Sequence, residues 1–282
     1  MANNETLNLG MDAAQQEQAL VPAPTIDLPL LVQKEEALSV IQENLNGLGE
    51  IRFDKIRMPA GGGLTFEVAD ESGNLVPVQE IRGVIIGHFP FKAWWKKLFE
   101  EKTEEDDKRP DCYSADGITG TGCPEEGIPT VQQCATCPKN AWGSDRRGGR
   151  GKDCNDKIRI YILREGEVFP VFMDLPATSH SNFKDYIKRL TNRLKHYYSV
   201  VTSIKLEKDK SAGGITYSKA TFSKVADLSP AERNAVKQYI DSIRDTIRRI
   251  DAETIAAEPG DVSGDTRDLN DLDFGDTGEQ VY

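Results

Sequence analysis

The chain has 282 residues, 38% hydrophobic and 29% charged, with a formal net charge of −11, a balance that fits a globular protein with a sizeable core and excludes a fully disordered one. No run of about 18 apolar residues occurs, which excludes a transmembrane helix. The opening Met1-Ala2-Asn3-Asn4-Glu5-Thr6 has neither the basic nor the apolar region of a secretory signal, so a cytoplasmic location with no membrane partner is expected.

In chain order, residues 1–25 are rich in Asn, Gln, Ala and Pro without sustained periodicity and read as a flexible arm. A short helix is expected over 35–45, with Leu38, Ile41 and Leu45 on one face and Gly47 ending it. Residues 51–58 and 64–69 read as a hairpin about Gly61-Gly62-Gly63, and 80–91 as a third strand dense in Val, Ile and Phe. The pattern then breaks. Residues 94–155 hold all five cysteines and many glycines, with almost no apolar periodicity, and a loop of that length needs something to tie it down.

Strand signals resume at 158–163 and 168–175, a second hairpin. An amphipathic helix over 181–197 follows, with Phe183, Ile187, Leu190 and Leu194 at helical spacing and Ser181 as its N-cap. Residues 200–208 and 215–225 form a third hairpin. Ser229-Pro230-Ala231-Glu232 then opens a long helix over 229–257 with a capping box and a proline at its first position. Its stripe of Val236, Ile240, Ile243, Ile247 and Ile250 packs on its own domain or pairs with a second copy. The expected fold is α+β, mainly β. It is an OB-like antiparallel barrel spanning 26–257, with an insert at 94–155, a C-terminal helix, and a disordered acidic tail at 258–282.

The insert carries the chemistry. Cys134-Ala135-Thr136-Cys137 is followed by Cys154, with Cys112 and Cys123 upstream. Two thiolates two residues apart grip one side of a tetrahedral ion, and zinc suits an all-thiolate set that orders a polar loop. The expected ligands are Cys134, Cys137, Cys154 and Cys112, with Cys123 competing for the last place. Five clustered thiols do not resemble a secreted disulfide framework, and a redox dithiol is less well supported because no βαβ signal precedes the pair. A four-cysteine site is structural, and no phosphate loop, nucleophile elbow or metalloprotease motif points to catalysis.

Charge distribution qualifies the negative total. Residues 258–282 hold eight acids and one arginine, whereas 139–159 holds seven basic residues against three acids and 184–210 eight against three. The segments Cys134-Ala135-Thr136-Cys137-Pro138-Lys139-Asn140-Ala141-Trp142-Gly143-Ser144 and Gly149-Arg150-Gly151-Lys152-Asp153-Cys154 resemble the zinc-bearing insert of phage and mobile-element single-stranded-DNA-binding proteins. The wider plan is similar to the phage type that joins an OB fold, a zinc insert and an acidic tail. That type uses one histidine beside three cysteines, whereas this insert offers only cysteines.

The resemblance implies a sequence-neutral binder that coats and protects single-stranded DNA during replication or recombination. Such a binder needs cations and aromatic platforms. Lys139, Arg146, Arg147, Arg150 and Lys152 beside Trp142, then Arg159 and Tyr161 on the polar face of the following strand, and Trp94 with Lys96, are the candidates. Asp271, Asp273 and Phe274 resemble the partner-docking tip of bacterial single-strand binders and imply recruitment of replication and recombination proteins. The competing reading is a zinc-stabilised protein-interaction or regulatory protein whose basic residues are ordinary surface.

Overall fold

The computed structural model describes residues 26–29, 34–47, 52–59, 61–97, 103, 109–122, 130–146, 148, 151–210, 214 and 216–257. The arm at 1–25, the acidic tail at 258–282, and Cys123, Arg147, Arg150, Asp271, Asp273 and Phe274 lie outside them. Helix α1 (Lys34–Leu45) matches the expected 35–45, and Gly47 ends it with the positive φ of +82° that a helix stop favours. Strand β1 (Lys55–Ile56) is shorter than expected and pairs elsewhere; one bridge, Arg57 with Glu67, is all that remains of the expected first hairpin. Strand β2 (Phe66–Ala69) pairs instead with β3 (Leu75–Val78), which the sequence pattern hid. Asp70 makes that turn, its carboxylate accepting the backbone N–H groups of Ser72 and Asn74 at 2.9 Å each.

The longest strand, β4 (Glu80–Trp94), organises the rest. On one side it pairs with β8 (Asn155–Arg164), with an irregularity between Ile85 and Gly87. On the other it pairs at its start with β10 (Val200–Lys210) and at its end with β5 (Cys112–Ser114). Strand β9 (Val171–Leu175) follows β8 as the expected hairpin, and β1 lies parallel against β9. Strands β6 (Thr119–Thr121) and β7 (Val131–Gln133) extend β5, and β11 (Thr216–Asp227) completes the expected hairpin with β10. The order β1-β9-β8-β4-β5-β6-β7, with β10 and β11 branching from β4, never returns on itself. The fold is mixed α/β and mainly strand, built on one large sheet with few helices; where an OB-like antiparallel barrel was expected, the described strands do not form a closed barrel but a branched sheet with one parallel pair.

Both faces of that sheet are covered. Ile160 and Ile162 of β8 face a core with Phe66, Ile85, Met173 and helix α2 (Ala177–Thr191), which contributes Phe183, Tyr186 and Leu190. Tyr161 and Leu163 face a second core with Val84, Ile86, Phe172 and helix α3 (Pro230–Ala257), which contributes Val236, Ile240 and Ile247. Val236, Ile240, Ile243 and Ile247 of the α3 seam thus pack on its own sheet. Its capping box forms as expected: Ser229 N–H donates to Glu232 Oε2 at 2.6 Å and Glu232 N–H to Ser229 Oγ at 3.3 Å. Among the described residues no helix is long and apolar enough to cross a membrane.

Helix α2 begins at Ala177 with Pro176 as its N-cap, so Ser181 lies inside it and is not the cap. Its early turns are fastened to β11: Ala220 N–H donates to Ser179 Oγ at 3.0 Å, and Asn182 Nδ2 donates to the Ala220 carbonyl at 2.9 Å. Those bonds satisfy backbone groups that an edge strand would otherwise leave open. The helix ends at Thr191, and Leu194 falls outside it.

Arg159 and Asp174 stand directly opposite each other on β8 and β9, with side chains 1% and 4% exposed. The guanidinium donates twice, at 2.7 and 3.0 Å, and lies 4.1 Å from the Phe172 ring centroid; Lys55 reaches Asp174 at 3.2 Å. Burial pushes the Asp174 pKa up, but Arg159 and then Lys55 outweigh it and hold the carboxyl well below its ordinary 3.8. A depressed native pKa means the pair's contribution is full above the ordinary carboxylate range and is lost as pH falls through the native value. Asp174→Asn should cost about 3–5 kcal/mol in denaturant unfolding at neutral pH by stranding a buried cation. It should also flatten part of the acid-side decline in stability.

Candidate functional site

The insert is the connection from the end of β4 to the start of β8, so its two roots are neighbouring strands. Trp94 pairs with Cys112 across β4 and β5, and Ala93 with Asn155 across β4 and β8. Within it, β5, β6 and β7 form a small meander whose first turn is held by Asp116, accepting Ile118 and Thr119 N–H at 2.8 Å and the Ser114 hydroxyl at 2.9 Å. Gly122 has φ +106°, and a Cβ there would stand 2.6 Å from the Asp111 carbonyl oxygen, so this return of the chain accepts only glycine.

After β7 the Cys-x-x-Cys pair sits on two successive 3-10 turns. Cys134 N–H donates to the Ile118 carbonyl at 2.7 Å, and the Asn140 side-chain amide donates to the Cys134 carbonyl at 2.8 Å. Cys154 N–H donates to the Lys139 carbonyl at 2.8 Å, which brings the fourth cysteine beside the other three. Cys112, Cys134 and Cys137 are buried, Cys154 is partly so, and all four are free thiols.

The four thiols line one cavity of about 20 Å³, together with Lys92, Trp94, Gly120, Gln132 and Asn140. The missing side chain of Gly120 leaves it open: a Cβ there would lie 3.4 Å from Cys112 Sγ and 3.5 Å from Cys134 Sγ. Gln132 Nε2 donates to Cys137 Sγ at 3.4 Å, a contact that a thiolate would strengthen. Burial pushes the Cys134 and Cys154 thiols up, with the Asp156 charge adding to the rise at Cys154 and Lys92 opposing it at both. In this arrangement, among the described residues, no group of three or more His, Cys, Asp or Glu side chains is placed to hold a metal ion. Cys154 Sγ is turned toward the Ala93 carbonyl, at 3.8 Å. Cys112 is the upstream cysteine at this cavity among the described residues, and Cys123 lies outside them.

Most of the expected nucleic-acid contacts prove to be internal braces. Trp94 is 1% exposed, its indole N–H donating to Asp153 at 2.7 Å, with Lys139 and Arg146 at 4.9 and 5.2 Å from its ring centroid. Arg146 is 2.6 Å and Lys139 3.7 Å from the same carboxylate, and Arg146 also donates to the Trp95 and Lys96 carbonyls. Lys152 meets Asp156 at 2.9 Å and Asn140 at 3.3 Å, and Lys92 bonds the same Asp156 from β4. Lys96 is exposed, its backbone N–H donating to Asp111 at 2.7 Å. Arg159 and Tyr161 do not present the expected exposed face: both are buried, Arg159 against Asp174 and the Phe172 ring, Tyr161 in the second core.

Trp142 is different. It stands 63% exposed at the tip of the insert with the Lys152 ammonium 5.2 Å from its ring centroid. No protein-family model, curated protein or solved structure matches this chain. The site is therefore read from its own residues.

Asp153, Asp156, Lys92 and Asn140 were missed from the sequence because nothing in their spacing marks them and most of their partners are distant in the chain. Asp153 holds an indole and two cations from a side chain 5% exposed. Asp153→Ala should destabilise the protein by about 2–3 kcal/mol, since it strands a buried N–H and removes the partner of two cations. Urea unfolding followed by tryptophan fluorescence measures this, and Trp94 should shift toward a solvent-exposed spectrum.

Proposed function

We propose that this chain is a sequence-neutral single-stranded-DNA-binding protein that displays Trp142 on a zinc-stapled insert. The observation that carries the reading is the exposed Trp142 ring with Lys152 beside it, on a turn braced by a partly buried ion pair and the four-cysteine cavity. A large exposed aromatic beside a cation suits a base face and a phosphate, and every base has a π-face, so contact needs no sequence. Cys112, Cys134, Cys137 and Cys154 are the residues that would hold zinc, which would be bound by their thiolates and would keep the insert ordered. The donor set and the space left by Gly120 fit that ion. Ligation requires the thiols to turn toward one another, since no three are placed to hold an ion in this arrangement and Cys154 Sγ faces the Ala93 carbonyl.

In the cell this activity would coat and protect single strands during phage or mobile-element replication or recombination. The acidic residues at 258–282, with Asp271, Asp273 and Phe274, would recruit partner proteins. A second reading, a zinc-stabilised interaction protein without direct DNA binding, draws on one observation: Lys139, Arg146 and Lys152 are already paired with carboxylates.

Fluorescence anisotropy with a labelled single-stranded oligonucleotide, against duplex of equal length, separates the two. Strand-selective binding whose logarithm falls linearly with log salt, at a slope of about −0.7 per phosphate neutralised, is expected. Trp142→Ala should weaken it about tenfold. The purified protein should carry one zinc per chain, and Cys134→Ser with Cys137→Ser should abolish metal uptake. Absence of binding at low salt by metal-replete protein, with or without residues 258–282, would transfer the assignment to the interaction reading.

A further inference from the structure

Outside the insert, the residues that leave α2 form a second surface whose features have no role in the core. Helix α2 stops when Leu194 takes φ +54°, with Leu194 N–H donating to the Thr191 carbonyl at 2.8 Å and Lys195 N–H to the Leu190 carbonyl at 3.0 Å. This is the left-handed stop that glycine or asparagine fills without strain. Leu194 is the one non-glycine residue with positive φ among the described residues, and it is 95% exposed. A leucine there bears both a backbone cost and an exposed apolar side chain, with no packing in return.

The surroundings say what such a side chain could meet. Lys184, Lys188, Arg189 and Arg193 are exposed along and just past α2, and Asp185 is the sole acidic residue between 177 and 196. Among the described residues none of these four cations is ion-paired, in contrast to the insert, where Lys139, Arg146 and Lys152 are tied to Asp153 and Asp156. Two residues past Leu194 the exposed His196 ring lies flat on Tyr198, centroids 4.8 Å apart and planes at 8°. Cations for phosphates, a flat exposed ring and an apolar tip are the chemistry of an unstacked strand rather than of an acidic protein face, which offers no flat apolar bases.

We infer that the C-terminal end of α2 is a second single-strand contact, with Leu194 packing on or between bases, His196 stacking, and Lys188, Arg189 and Arg193 neutralising phosphates. The inference rests on the single-strand reading of the insert and extends its path. His180, near the start of α2, lies 3.1 Å from the Leu175 carbonyl, and Leu175 pairs with Ile158 on β8, the strand that leaves the insert. Fifteen helical residues span about 22 Å, so a strand leaving Trp142 would follow the cationic flank of α2 to reach Leu194.

The test uses the full chain, a labelled thirty-nucleotide oligo-dT, and the variants Leu194→Gly, Lys188→Gln with Arg189→Gln, and Trp142→Ala. Leu194→Gly should raise the melting temperature by about 2–4 °C by relieving the left-handed strain, yet weaken strand binding roughly threefold to tenfold. The double glutamine variant should lower the salt slope by about 1.4. Losses from Leu194→Gly and Trp142→Ala should multiply, as for separate contacts along one ligand. If Leu194→Gly and the glutamine variant bind like wild type while Trp142→Ala loses affinity, the α2 surface is off the strand and only the insert reading stands. If wild-type protein does not bind, both readings fall together.

Discussion

The buried pair of Arg159 and Asp174 sets the register on which everything else in the sheet depends. The two residues are direct cross-strand neighbours on β8 and β9, almost fully removed from solvent. A slip of one residue would bury a guanidinium without its carboxylate, at a cost of several kcal/mol. Lys55 adds its charge to the same carboxylate from β1, which ties the parallel edge strand into the same register. With β8 fixed, its pairing to β4 places Asp156 opposite Lys92 and Asn155 opposite Ala93. The two roots of the insert are thereby held at one spacing, and Asp153 arrives beneath Trp94.

The insert has too few apolar residues to fold as a small core, and it is organised by two polar devices. One is the carboxylate at Asp153, gathering Trp94, Arg146 and Lys139; the other is Asp156, gathering Lys92 and Lys152. Between them lies the cysteine cavity. This division explains why exposed Trp142 can be held in place: its turn is anchored on both sides, through Asn140 to Cys134 and through Lys152 to Asp156. A side chain offered to a ligand from an anchored turn loses less entropy on binding than one on a free loop.

Much of the architecture was legible in the residues. The Ser229 to Glu232 box, the hairpins β8–β9 and β10–β11, and the convergence of four cysteines follow from local chemistry that acts within a few residues or through a distinctive donor. What was not legible depended on partners distant in sequence. Alternation in β8 separated Arg159 and Tyr161 from the isoleucines correctly, but what buries them lies further along the chain: Asp174 and Phe172 of β9 for Arg159, and the core shared with α3 for Tyr161. Strand β3 carries Pro77, which argues against a strand unless it lies at an edge, and β2–β3 is an isolated two-stranded sheet where proline is tolerated. The start of α2 was misplaced because Ser179 and Asn182 bond to β11 rather than cap a helix end.

Charge distribution gains a different meaning once these partners are known. Two basic stretches of similar sequence density differ in what their cations face. Those of the insert meet Asp153 and Asp156 and stabilise the turn; those of α2 project from a helix whose only acid is Asp185. A phosphate approaching the insert must compete with a carboxylate for each lysine, whereas one approaching α2 displaces only solvent and small ions. Under the single-strand reading, the insert then supplies the aromatic anchor and α2 the larger share of the salt-dependent attraction. Stacking would survive at high ionic strength and backbone tracking would not, so the two surfaces would dominate under different conditions.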